Sequence, residues 1–175
     1  MTDSSAFTNR ARTVVLADGR RLAYTEYGDT SGYPIIFAHG MPGSRLEGRF
    51  FDDQARAAGF RILALDRPGI GASTYQPDRR LLDYSDDVRQ FADQLGLATF
   101  VHMGWSSGGS RTLACAYSLG ERVSQAVVLS GYTHFAELPD SHLLLLKTRW
   151  PGPVLAELST TLFRAVVAVV VWISR

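Results

Sequence analysis

Ser106 has the neighbours best suited to make it a nucleophile. It lies in Gly104-Trp105-Ser106-Ser107-Gly108, behind an apolar, partly β-branched run from Thr99 to Met103. A helical pattern follows from about Ser107 to Leu119. Strand, Gly-x-Ser-x-Gly and helix in succession describe a nucleophile elbow. The chain reverses so tightly there that the serine is expected in a strained conformation, its hydroxyl exposed above the sheet edge. Gly104 and Gly108 remove the side chains that would strike neighbouring strand and helix backbone. The N–H after the serine then lies at a helix N-terminus, where a developing oxyanion is stabilised. Ser107 cannot take the role, because Trp105 stands where its flanking glycine would have to be.

Positioning such a serine takes a sheet with helices packed on it, and the pattern of the chain supplies both. Arg12 to Ala17 reads as a strand, Asp18-Gly19 as a hairpin turn and Arg20 to Tyr27 as the returning strand. Alternation along Leu22 to Tyr27 predicts one half-exposed face near a sheet edge. Pro34 to Ala38 and Phe60 to Leu65 are continuously apolar, as strands buried on both faces of a parallel sheet are, and Val123 to Leu129 reads as one more buried strand. Glu47 to Ala58 has helical spacing, with Phe50 or Phe51, Gln54, Ala55 and Ala58 on one side and Gly59 as its stop. A second helix opens at Tyr84-Ser85, with Ser85 as N-cap and Val88, Phe91, Ala92 and Leu95 as the apolar stripe, ending at Gly96. The expected architecture is α/β: a three-layer sandwich with a mostly parallel sheet and an N-terminal antiparallel hairpin. Residues 1–10 read as a flexible leader, 11–131 as the core and 132–175 as the start of a helical cap, punctuated by Pro139, Pro151 and Pro153.

At 175 residues, 46% hydrophobic and 20% charged, the chain is sized for one ordinary globular core. A net charge of +1 gives no reason to expect nucleic acid or an anionic membrane as partner. Ala165 to Ile173 is apolar but far short of the roughly 20 residues a membrane span needs. It reads as a helix that packs on something outside this chain. The polar leader lacks a secretory signal, and the lone Cys115 suits a reducing compartment and a buried apolar role, so the cytoplasm is the default location. No Cys/His cluster has metal-ligand spacing and no Gly-x-Gly-x-x-Gly follows the first strand, so neither metal nor cofactor is expected. Oligomeric state is not legible. Seventeen of the eighteen basic residues are arginine, a compositional bias. Arg20-Arg21 and Arg79-Arg80 read as solvated, Arg45 as an ordinary surface pair, and Asp52-Asp53 and Asp86-Asp87 as helix-dipole partners.

Three motifs in order, His39-Gly40-Met41-Pro42-Gly43-Ser44, Asp66-Arg67-Pro68-Gly69-Ile70-Gly71-Ala72-Ser73 and Gly104 to Gly109, resemble the α/β-hydrolase superfamily over roughly residues 13–131. The resemblance implies a serine hydrolase acting on an ester-like or other acyl bond of a small molecule. Ser106 matches the nucleophile. Met41 and Ser107 match the residues whose backbone N–H groups form the oxyanion hole. Asp66 to Ser73 matches a bordering loop of structural role, and His39 a residue that orders the oxyanion turn. Trp105, beside the serine, is expected to pack under the cap.

In that family an acid and a histidine follow the serine, on strands beyond the cap. Here the chain stops within the cap, so the triad partners are expected beyond residue 175 and the fold is expected to be incomplete. His102 reads as a satisfied core histidine. His134 or His142, oriented by Glu137 or Asp140, would have to come within hydrogen-bond reach of the serine to act as base. Oxyanion and binding terms alone leave roughly 10³–10⁴ over water, so the isolated chain should be a feeble esterase at best. The alternatives are an inert remnant or binding protein, and a lyase-type relative on the same scaffold.

Overall fold

The apolar run at Pro34 to Ala38 becomes the centre of the sheet. The computed structural model describes residues 11–131, within a first compact unit that ends at Tyr132. The expected leader and cap, with His134 and His142, lie outside the described residues. Six strands are formed: β1 (Arg12–Val15), β2 (Arg21–Gly28), β3 (Tyr33–Ala38), β4 (Phe60–Leu65), β5 (Phe100–Trp105) and β6 (Val123–Leu129). Their order is β1-β2-β4-β3-β5-β6. β1 pairs with β2, and β2 with β4, antiparallel; β4, β3, β5 and β6 run parallel.

Residues alternate between the two faces. Ile36, Ala38, Leu63, Leu65 and Phe100 join Val88, Phe91 and Ala92 of α2 (Asp83–Gln94) and Cys115 of α3 (Gly108–Leu119). Phe37, Ile62, Ala64 and Met103 face the other way, onto Ala55 of α1 (Asp52–Ala57) and Phe51. Each buried Leu, Ile or Phe contributes on the order of 1.5–3 kcal/mol of transfer free energy, so these two apolar layers dominate the stability.

Several expectations are corrected. β2 is second in the sheet and buried on both faces, because Leu22 and Tyr24 join one apolar layer and Tyr27 the other; β1 is the edge. β6, expected to be buried, is largely exposed and is the outer strand among the described residues, with Val128 40% exposed. The first helical segment begins as a 3₁₀ stretch, Arg45–Phe51, capped by Ser44 Oγ, which accepts from Leu46 N; Gln54 and Ala58 are exposed. Ser85 is no cap: it lies buried inside α2, whose N-cap position is Leu82. Arg20 is half-buried, donating to both oxygens of Asp87 at 2.6 and 3.0 Å, with only 1% of the Asp87 side chain exposed. Asp52 lies in the first turn of α1, as the helix-dipole reading expects, and it is also buried and accepts from Gly28 N. Arg79 is half-buried.

His102 is only half satisfied. The Thr112 hydroxyl donates to Gly108 O and accepts from His102 Nδ1 at 2.9 Å, leaving the Nε2 lone pair buried without a partner among the described residues. Burial pushes its pKa down to about 3. In the unfolded chain the imidazole titrates near 6.5, so between these values the unfolded state takes up a proton that the native state refuses. This contribution to stability is therefore full above pH 6.5 and is lost as the pH falls toward 3. Urea unfolding at pH 7 and pH 4.5 should show a smaller loss on acidification for His102→Gln than for the wild type. An equal loss in both would overturn the assignment.

Candidate active site

The strand order creates the site. From β3 the chain crosses to β4 on one side, and it later enters β5 on the other. Loops leaving the carboxyl ends of β3 and β5 therefore part in opposite directions and open a crevice between them. Pairing of Ala38 with both Leu65 and Gly104 brings His39, Asp66 and the elbow to one level of the sheet.

Ser106 sits at the tip of that elbow with φ +52°, in the left-handed region that side chains disfavour. Two backbone hydrogen bonds hold it there: Ser106 N donates to Leu129 O at 2.8 Å, and Gly109 N donates to Ser106 O at 2.9 Å. The glycines are needed sterically. A Cβ on Gly104 would collide with Gly108 O and Thr112 Oγ1, and one on Gly108 would collide with Ala38 O. Ser106 is half-buried, and its hydroxyl has no hydrogen-bond partner among the described residues.

The loop after β3 lies against the serine. A Cβ on Gly40 would stand 3.3 Å from Ser106 Cβ. His39 is fully buried beneath this turn. Its Nδ1 donates to Gly40 O at 2.8 Å, and its Nε2 accepts from Arg67 N and Nε, each at 3.3 Å. Burial and the adjacent Arg67 guanidinium lower its pKa to about 4, so it is neutral at physiological pH. With both nitrogens engaged it orders the turn, as expected. Arg67 also donates to Gly40 O at 2.7 Å and to Ser107 Oγ at 3.3 Å. Asp66, wholly buried, accepts from Arg45 N and Nη1 and from Ala72 N. Arg45 is thus an internal brace and not a surface pair. Trp105 packs edge-on to Phe50 and Phe51, with centroids 6.0 and 6.2 Å apart.

The Met41 and Ser107 N–H groups donate no hydrogen bond among the described residues. Both ring nitrogens of His39 are engaged, His102 is held by Thr112 within the core, and the other two histidines lie outside the described residues. Among the described residues no cluster of His, Cys, Asp or Glu is placed to hold a metal ion, and no helix is long and apolar enough to cross a membrane. Arg67 and Glu47, whose carboxylate accepts from Gly40 N at 2.9 Å, were not marked by sequence as part of the site. Arg67 stood inside a quoted motif, but nothing in its spacing signalled burial under the loop.

Comparison with known proteins agrees with this fold. A family model described as alpha/beta hydrolase fold matches residues 33–165. A non-heme chloroperoxidase of Streptomyces lividans is 33% identical over 123 residues, 67% of this chain and 44% of the relative. A bifunctional esterase/perhydrolase of Acinetobacter calcoaceticus is 34% identical over 125 residues, 67% of this chain and 43% of the relative. The chain therefore spans less than half the length of these relatives. Among solved structures, an esterase from Exiguobacterium antarcticum matches with TM-score 0.60 at 23% identity, covering 70% of this chain and 46% of that one. A hydrolase from Pseudomonas aeruginosa matches with TM-score 0.60 at 22% identity, covering 86% and 58%. At these identities the two structures carry the fold alone.

Strain at Ser106 and crowding at Gly108 make opposite predictions. Ser106→Gly should be more stable than Ser106→Ala by about 1 kcal/mol, because glycine removes the left-handed penalty. Gly108→Ala should cost more than about 4 kcal/mol, since its methyl group meets backbone that cannot move aside. Urea denaturation of the three variants checks both signs.

Proposed function

The chain belongs to the α/β-hydrolase fold family, and from that premise we propose that it carries the nucleophile and oxyanion site of a serine hydrolase acting on an ester-like or other acyl bond of a small molecule. Ser106 Oγ attacks the carbonyl carbon, and the carbonyl oxygen becomes an oxyanion held by the N–H groups of Met41 and Ser107. The intermediate collapses with loss of the alcohol, leaving an acyl group on Ser106, which water then hydrolyses. The relay that takes the serine proton and returns it to the leaving group is assigned to a histidine and an acid outside residues 11–131. The observation that carries this reading is a serine at φ +52° beside two backbone N–H groups that the described residues leave unengaged. Donors of this kind act without reorganising as charge develops, and each is worth roughly 10²–10³ in turnover. The names of relatives support ester chemistry. The lone, buried Cys115 supports the cytoplasm as its location.

A fluorophosphonate probe and a p-nitrophenyl ester test the reading on the native protein. Ser106 should be labelled, and Ser106→Ala should abolish labelling and cut turnover by roughly 10⁴–10⁶. A folded protein that is never labelled would be the inert binding alternative. Labelling at Ser106 without turnover across a panel of esters would favour the lyase-type alternative.

A further inference from the structure

Gly40 is clamped on both of its backbone polar atoms, by side chains from three different places in the chain. Its carbonyl accepts from His39 Nδ1 at 2.8 Å and Arg67 Nη2 at 2.7 Å, and its N–H donates to Glu47 Oε2 at 2.9 Å. The Gly40–Met41 peptide is trans, so the Met41 N–H points away from the side on which the Gly40 carbonyl is held. Turning this peptide would turn that donor with it. Glycine at position 40 has no rotamer or side-chain packing to hold its backbone by itself: the two bonds to its carbonyl set the Gly40–Met41 plane, and the bond from its N–H to Glu47 sets the preceding His39–Gly40 plane from which the other hangs.

We propose that Glu47 is a positioning residue for the oxyanion site, its carboxylate fixing the Gly40 N–H so that Arg67, His39 and Glu47 together aim the Met41 N–H at the carbonyl oxygen on Ser106. This deepens the serine hydrolase reading and rests on it. The role needs an acceptor, not a charge. A carboxylate this close to a developing oxyanion repels it, so only the hydrogen bond to Gly40 recommends the residue there. Glu47 is also held from below. It lies in the first turn of the stretch capped by Ser44, with its N–H donating to Ser44 O at 3.0 Å. Gly43 leaves room for it: a Cβ there would fall on Glu47 Oε1.

The test measures p-nitrophenyl acetate hydrolysis by the native protein alongside fluorophosphonate labelling. If Ser106→Ala fails to abolish labelling, both the serine reading and this proposal fall. With Ser106 confirmed, Glu47→Ala should lower kcat about 10- to 100-fold, below the loss from deleting an oxyanion donor outright. KM should stay within about threefold, since an interaction formed only in the transition state is removed. The affinity for a trifluoromethyl ketone should fall in parallel with kcat. Glu47→Gln keeps an acceptor oxygen and should retain or exceed the native kcat. Gly43→Ala displaces the carboxylate without deleting it, and should lower kcat similarly with no further loss when combined with Glu47→Ala. A native kcat in Glu47→Ala, a loss in Glu47→Gln equal to that in Glu47→Ala, or additive losses in the double variant would each overturn the proposal. Should Glu47→Ala fail to fold, Gly43→Ala and Glu47→Gln still decide it.

Discussion

The site depends on a backbone-to-backbone approach that no side chain could enter. Gly108, at the start of α3, sits against the carbonyls of Ala38 and His39 at the end of β3, while Gly104 sits against the carbonyl of Gly108 itself. This contact brings the serine turn and the loop after β3 together, and it sets the distance between Ser106 and the Gly40–Met41 peptide. The flanking glycines are in this sense steric requirements of two elements meeting. The strain at Ser106 has the same origin, since a turn this tight leaves the residue at its tip a left-handed conformation, over-determined by the bonds to Leu129 O and from Gly109 N.

Beneath that contact lies a buried polar network instead of an apolar core. His39, Asp66 and Arg67 are all almost wholly buried, and each is matched by partners: Arg45 and Ala72 N for Asp66, Gly40 O and Ser107 Oγ for Arg67, Arg67 and Gly40 O for His39. Removing one member would strand a buried charge or donor, which is far costlier than the net worth of an exposed pair. A neutral His39 suits this arrangement. Were it charged, its Nε2 could no longer accept from Arg67, and a second cation would face the guanidinium. Directional bonds hold a loop at a defined angle in a way that apolar contact, which has no preferred direction, does not.

Much of the scaffold was legible in the linear pattern because the physics behind it is local. β3 and β4 announced themselves as continuous apolar runs, since both faces of a central parallel strand are covered. The helix at 83–94 showed its stripe because one face alone meets the sheet, and Gly59 and Gly96 marked helix ends by adopting positive φ. The failures share a cause too. β2 was expected to leave one face half exposed because its residues alternate, yet both faces are covered by apolar layers. Ser85 looked like a cap because caps and buried helical serines are the same residue in the sequence, told apart only by what packs on them.

By itself the sequence determined the strand–turn–helix context of the elbow and the order of strands and helices. These follow from periodicity, glycine placement and a strand–turn–helix context, all of them properties of neighbouring residues. The tertiary structure alone decided which charges went inside. Arg20 met Asp87, Arg45 met Asp66, and Arg67 came to lie under Gly40, across separations of 67, 21 and 27 residues. A charged residue reads as solvated until a partner that neutralises it is brought within hydrogen-bond reach, and that partner is set by strand order and crossover, which no local pattern encodes.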